Sequence, residues 1–188
     1  MIRKFFEARK LRPYKTCAMV LDVRGREIRC CPRTEPAEGI HFDMGLTAKI
    51  RSDGFISGAS DVDVIQVDNA NLPKAVRPGD NISFEEGKLN AVVLETDVDE
   101  VKIQFRNAGM FYGNKQVIIP ANRLAQLPIL QGEDKNDIIQ VAVKNKFDYI
   151  CVPNITSVKD VQEIKYARTD AGSSIGILAK IDNLEAVH

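Results

Sequence analysis

Ser174-Ile175-Gly176-Ile177-Leu178-Ala179-Lys180-Ile181-Asp182-Asn183-Leu184-Glu185 is an apolar run of strand length that ends by delivering a lysine and a carboxylate two residues apart. Side chains alternate faces along a strand, so the pattern predicts that Lys180 and Asp182 point the same way and can share one ligand. Small and aliphatic residues ahead of the charges suit a buried parallel strand whose far end opens into a polar mouth, the place where α/β barrels collect catalytic groups. The same spacing also describes a half-buried strand with a solvated ion pair at its tip, a feature that contributes little.

Towards the amino terminus the α/β alternation continues. Asp170-Ala171-Gly172 turns into this run from a helix that Ser157-Val158-Lys159-Asp160 opens in the form of a capping box and that reaches about Arg168. Tyr149-Ile150-Cys151-Val152 has the texture of a buried strand. Glu133-Asp134 places negative charge at another helix start, with Ile138, Ile139, Val141, Ala142 and Val143 as its apolar face and an end near Asn145. Near the start of the chain, Thr16-Cys17-Ala18-Met19-Val20-Leu21-Asp22 is a continuous apolar strand that also ends in a carboxylate, and Val23-Arg24-Gly25 turns out of it. The first ten residues, Met1 to Lys10, have helical composition and are stopped near Pro13.

Between Gly25 and about Ala121 the helical period is lost. Pro78-Gly79-Asp80 and Glu85-Glu86-Gly87-Lys88 supply turn chemistry on either side of a short strand reaching Phe84, and Leu89 to Leu94, Val101 to Phe105 and Gln116 to Ile119 read as further strands. The expected architecture is therefore α/β, with a small all-β domain at 26–127 inserted between segments 1–25 and 128–188.

The chain has 188 residues, 44% of them hydrophobic, which is enough for a sizeable core. Lys plus Arg and Asp plus Glu number 26 each, so no global field draws nucleic acid or an anionic membrane, although a phosphate ligand needs only a local cluster. The amino-terminal stretch carries charges throughout and lacks a signal-peptide core, and no later run reaches transmembrane length. Cys17, Cys30, Cys31 and Cys151 have neither metal-ligand spacing nor the density of a disulfide scaffold, and His41 and His188 form no cluster with them. A cytoplasmic protein with reduced thiols is expected, with neither nucleic acid nor membrane as a partner.

Several short stretches, in matching order, carry a family resemblance. Leu21-Asp22-Val23-Arg24-Gly25-Arg26-Glu27-Ile28-Arg29 resembles the pyruvate kinase segment in which a barrel strand ends in Asp and leads through Lys-Gly-Pro-Glu-Ile-Arg into the lid domain. Gly176 to Val187 resembles that family's strand ending Ser-Lys-Ile-Glu-Asn. Between them, Glu85-Glu86-Gly87 and the exit through Asn107, Gly109, Lys115, Leu127 and Pro128 follow the family's lid. The resemblance implies part of a TIM-type (β/α) barrel with an inserted small all-β barrel, and a glycolytic phosphotransferase acting on phosphoenolpyruvate and ADP to give pyruvate and ATP. It implies Mg2+ and K+ as cofactors. By resemblance, Lys180 sits beside the phosphoryl group, Asp182 holds the divalent ion, Asp22 with the carbonyl of Val23 matches a potassium position, and Arg29 and Lys115 match basic positions near the nucleotide phosphates.

The chain also departs from that pattern. Arg24 and Arg26 stand where the family has Lys and Pro, Asn114 replaces the first Lys of a pair, and Gln116 replaces a Gly. Pro153-Asn154-Ile155-Thr156 stands where the family places Ser-Phe-Ile-Arg, Ala186 replaces a Gly, and Asp182 is one methylene shorter than the family's Glu. Only three of the eight strands of the resembled barrel are expected here. Trace activity of the chain alone is expected, or association with a complete homologue; the alternative is a shortened, non-catalytic paralogue that acts by binding.

Overall fold

Residues 2–53, 55 and 58–187 are described by the computed structural model; expectations that touch Met1 and His188 lie outside them. In chain order, α1 (Ile2–Leu11) precedes β1 (Val20–Asp22). Then come β2 (Ile28–Arg29), β3 (Ile40–Phe42), β4 (Thr47–Arg51), β5 (Val64–Gln66), α2 (Leu72–Ala75), β6 (Asn81–Phe84), β7 (Leu89–Thr96), β8 (Glu100–Phe105), β9 (Gly109–Phe111), β10 (Gln116–Val117) and α3 (Ala121–Leu124). The chain continues with α4 (Gly132–Asp137), β11 (Tyr149–Val152), α5 (Val158–Asp170) and β12 (Gly176–Ala179). Contacts divide it into two units, Met1–Arg26 with Pro128–His188, and Glu27–Leu127.

In the first unit β1, β11 and β12 form a three-stranded parallel sheet with β11 in the centre. Ile150 and Val152 point to one face and are fully buried, packing in a cluster with Ile129, Ile138, Ala142 and Ile164. The other face, with Val20, Tyr149 and Leu178, stays about 40% exposed at 41%, 40% and 42%. The strand expected to be buried is therefore parallel but half open, because β12 pairs with β11 alone among the described residues. Gly176 begins it because a Cβ there would meet the Tyr149 ring at 2.5 Å across the ladder. The first strand is also shorter than its apolar run predicts: Thr16, Cys17 and Ala18 lie outside β1 and are exposed.

Two helices close the buried face. Ser157 precedes α5, and its N–H donates to the Asp160 carboxylate at 3.1 Å, the capping arrangement read from that tetrapeptide. Gln131 caps α4 in the same manner, its N–H donating to Asp134 at 2.9 Å. From Ile138 to Val143 the helix loosens to π geometry, closing bonds such as Phe147 N to Ala142 O at 2.9 Å. The wider turn rotates the register away from a 3.6-residue period, so Ile138 and Ala142 are buried while Ile139, expected on the apolar face, is 44% exposed.

The second unit owns its core. Alternation places Val101, Ile103 and Phe105 of β8 inward, together with Ala48 and Ile50 of β4, in a five-stranded sheet of order β5-β4-β8-β7-β6. Two antiparallel pairs, β2 with β10 and β3 with β9, complete it. Phe42 stacks on Phe105 at 4.2 Å between centroids, with Phe84 and Phe111 around them.

Candidate active site

Parallel pairing brings three chemically distinct side chains to one end of the small sheet. Asp22 is the register partner of Cys151, and Cys151 of Leu178, so these residues share the open face at the carboxyl ends of the strands. Lys180 follows two residues beyond Leu178, after β12 has ended at Ala179, its N–H still donating to Val152 O at 3.0 Å. Its Nζ lies 2.8 and 2.9 Å from the two oxygens of Asp22. The hydrogen bond that Lys180 donates to Asp22 raises the Lys180 pKa and outweighs desolvation, so the ammonium is charged at neutral pH. Cys151 sits beside both groups; partial burial first, and the Asp22 charge second, push its thiol up. Val23 donates its N–H to Cys151 O at 3.0 Å, extending the ladder one residue past β1.

Lys180 and Asp182 both follow the end of β12 at Ala179, and the Asp182 charge acts on Lys180 and on Cys151. One Asp182 oxygen takes the N–H of Asn154 at 3.4 Å, while the neighbouring Asn183 amide donates to Ile155 O at 2.9 Å. Asp182 is exposed and among the described residues accepts that one long bond, so it has hard-oxygen capacity left for magnesium, which ordinarily completes its shell with water and phosphate. The Asp22 carboxylate and the Val23 carbonyl are oxygen donors of the kind potassium takes, although the Lys180 ammonium now engages both Asp22 oxygens. Among the described residues no three His, Cys, Asp or Glu side chains gather into a metal-binding group.

The turn after β1 and the loop after β11 are joined by a feature that sequence reasoning missed. Arg26, 5% exposed in its side chain, pairs with Asp160, 7% exposed, through two bonds of 2.7 Å. Burial raises the Asp160 carboxyl, but the Arg26 bonds and the Thr156 N–H outweigh it and hold the group at about 2. Gly25, at φ +58°, makes the close approach possible: a Cβ there would lie 3.2 Å from Pro153 O and 3.4 Å from Ile129 O. Asp134 braces the same turn, accepting the Arg24 N–H at 3.0 Å. The one sequence signal for this arrangement was Asp160 in its capping box; nothing local points to an arginine 134 positions away.

In the second unit, β2 and β10 pair Arg29 with Gln116, which places Arg29 next to Lys115. Both cations are engaged by carboxylates, Arg29 with Glu27 at 2.7 Å and Lys115 with Glu86 at 2.8 Å. Glu86 lies in a turn where it and Glu85 adopt left-handed backbone angles, φ 61° and 49°. The Glu85 carboxylate is buried and accepts the N–H groups of Tyr112 and Gly113 at 2.8 and 3.1 Å. This turn is the acidic-acidic-Gly motif read from the sequence, and its buried member holds the β9–β10 connection.

The family profile described as pyruvate kinase, barrel domain, matches residues 1–188. The pyruvate kinase of Eimeria tenella is 30% identical over 188 residues, covering 100% of this chain and 34% of that protein. A crystal structure of Cryptosporidium parvum pyruvate kinase matches with a TM-score of 0.85 at 30% identity, covering 99% of this chain and 39% of that one. A second structure of the Cryptosporidium parvum enzyme, in complex with ADP, matches with a TM-score of 0.76 at 30% identity, over 99% of this chain and 38% of that one. The chain thus spans about a third of the length of these relatives and shares their α/β barrel-domain fold. Matched along its whole length by the barrel-domain profile, the chain belongs to the pyruvate kinase family.

Proposed function

We propose that this chain carries part of a pyruvate kinase site for phosphoryl transfer between phosphoenolpyruvate and ADP. The observation that carries the reading is the placement of the Lys180 ammonium against Asp22 at the carboxyl ends of parallel strands, where barrel enzymes hold their catalytic groups. In the transfer, the phosphoryl group leaves the enol oxygen of phosphoenolpyruvate for a terminal phosphate oxygen of ADP. A fixed cation beside it stabilises charge spread over the equatorial oxygens. Lys180 is that cation in this reading. Asp22 orients its Nζ, Asp182 would hold Mg2+ through a carboxylate oxygen, and Asp22 with the Val23 carbonyl would hold K+. Bound magnesium would neutralise phosphate charge. Arg29 and Lys115 contact the nucleotide phosphates. ADP or ATP, phosphoenolpyruvate and a complete homologue are the expected partners, the last in keeping with the half-exposed face of the small sheet. Four free cysteines fit a reducing, cytoplasmic setting.

One cation and one short carboxylate supply little of the positioning such a transfer needs, so the chain alone is proposed to turn over at a trace rate. A lactate-dehydrogenase-coupled assay with phosphoenolpyruvate, ADP, magnesium and potassium tests this beside a Lys180→Met variant. A trace rate abolished by the substitution supports the reading. Failure to find either Lys180-dependent turnover or magnesium-dependent ADP binding would overturn it in favour of a non-catalytic paralogue, the reading that the altered residues 153–156 favour.

A further inference from the structure

A buried arginine from the turn after β1 holds the loop that follows β11. The Arg26 guanidinium lies 3.1 Å from Thr156 Oγ1, and besides its two bonds to Asp160 it donates to Asn154 O at 3.2 Å. The Thr156 N–H and hydroxyl both donate to the same Asp160 oxygen, at 2.8 and 3.0 Å. A guanidinium thus reaches position 156 from the turn after β1.

The clamp continues to the candidate site. Asn154 adopts a left-handed conformation, φ 56°, and is largely buried. Its carbonyl is held by Arg26, its N–H by Asp182, and the next carbonyl, of Ile155, by Asn183. The peptide groups around Asn154 are therefore strung between Arg26 on one side and the two residues that follow Ile181 on the other.

We propose that Arg26 is a positioning residue for Asp182: by fixing residues 154–156 it sets the backbone against which the Asp182 carboxylate is aimed. The proposal rests on the reading of Asp182 as a metal-facing carboxylate for its chemical consequence, and on the loop geometry alone for its structural part. A buried fork of this kind cannot be copied by lysine, whose ammonium offers no matching planar pair of donors.

The test uses the full chain, labelled with 15N, with amide exchange as one readout and line broadening by Mn2+ as the other. Three proteins are compared: the parent, Arg26→Lys, and Ile164→Val, which weakens the packing of α5 without touching the clamp. Arg26→Lys should lower amide protection at Asn154 and Thr156 by about tenfold or more, as expected when a buried pair is broken. It should also weaken Mn2+ broadening at residues 181–183. Ile164→Val should move neither at matched loss of melting temperature. Unchanged protection in Arg26→Lys, or the same loss of protection or broadening in Ile164→Val, would overturn the proposal. Absence of Mn2+ broadening at 181–183 in the parent would instead remove the metal reading of Asp182; protection at Asn154 and Thr156 then decides whether Arg26 holds the loop.

Discussion

The Nζ of Lys180 sits between the two carboxylate oxygens of Asp22, at 2.8 and 2.9 Å, joining the ends of the outer strands across the central one. The bond raises the folded pKa of Lys180 above its unfolded value. Its stabilisation is thus complete below the unfolded value and is lost as pH rises through the folded one. Because the side chains are 40% and 61% exposed, solvent screens the pair, and its worth is at most about 1 kcal/mol. Asp22→Asn should leave the melting temperature nearly unchanged near neutral pH and lower the Lys180 pKa, read from an NMR titration of its Cε. A Lys180 titration that does not move would show that Asp22 is not its partner in solution.

Asp160 behaves in the opposite sense. Its folded pKa, about 2, lies below the ordinary value of 3.8, so its contribution is complete above about pH 4 and is lost as pH falls towards 2. The difference corresponds to about 2 kcal/mol. Asp134 works against it: burial raises its carboxyl, so acidification relieves a penalty there and offsets part of the loss. Asp160→Asn leaves the buried Arg26 charge unmatched and should cost about 3–5 kcal/mol at neutral pH. Urea unfolding from pH 2 to 7 should show the stability loss between pH 4 and 2 flattened in the variant. An identical acid limb in both proteins would mean that Asp160 does not titrate as the pair requires.

Each contact-defined unit has its own hydrophobic cluster: the one containing Phe105 draws entirely on residues of the Glu27–Leu127 unit, and the one containing Ile150 entirely on residues outside it. We propose on this basis that the inserted unit unfolds separately. Phe105 is 1% exposed and stacks on Phe42, so Phe105→Ala should cost about 3–5 kcal/mol. Calorimetry should show one transition lowered and the other unmoved, and limited proteolysis of the parent should yield a resistant core near residues 27–127. A single transition that falls as a whole would argue against independent units.

Much of this fold was legible locally. Tyr149–Val152, the capping box at Ser157 and Asp160 and the turn at Ala171 and Gly172 stand where residue chemistry put them, since each depends on neighbours within a few positions, whereas β12 ends at Ala179, short of the Lys180 and Asp182 that its pattern was read to carry. Partner choice was not legible. Lys180 pairs with Asp22, 158 positions away, because the order β1-β11-β12 and its register bring them together. Arg26 pairs with Asp160 for the same kind of reason, and read along the chain it is only an altered residue in a turn. The π turn at Ile138–Val143 was hidden because its apolar residues satisfy a 3.6-residue period nearly as well.

In the proposed nucleotide-binding role, Arg29 and Lys115 give up the carboxylates of Glu27 and Glu86 to meet phosphates. Lys115 is bound by Glu86 at 2.8 Å, and that bond raises its pKa, so it carries full charge but spends it on a neighbour. A nucleotide phosphate bound there competes with Glu86, and removing the competitor should strengthen binding rather than weaken it. Both side chains are exposed, so the gain is modest: Glu86→Gln should tighten magnesium-dependent ADP binding by about two- to fivefold. Lys115→Gln should weaken it. Added salt should narrow the difference between Glu86→Gln and the parent, because screening already loosens the exposed pair. Isothermal titration at two salt concentrations checks both substitutions. Equal affinity in all three proteins would take Lys115 out of the phosphate-binding role and leave Glu86 as the holder of a surface turn.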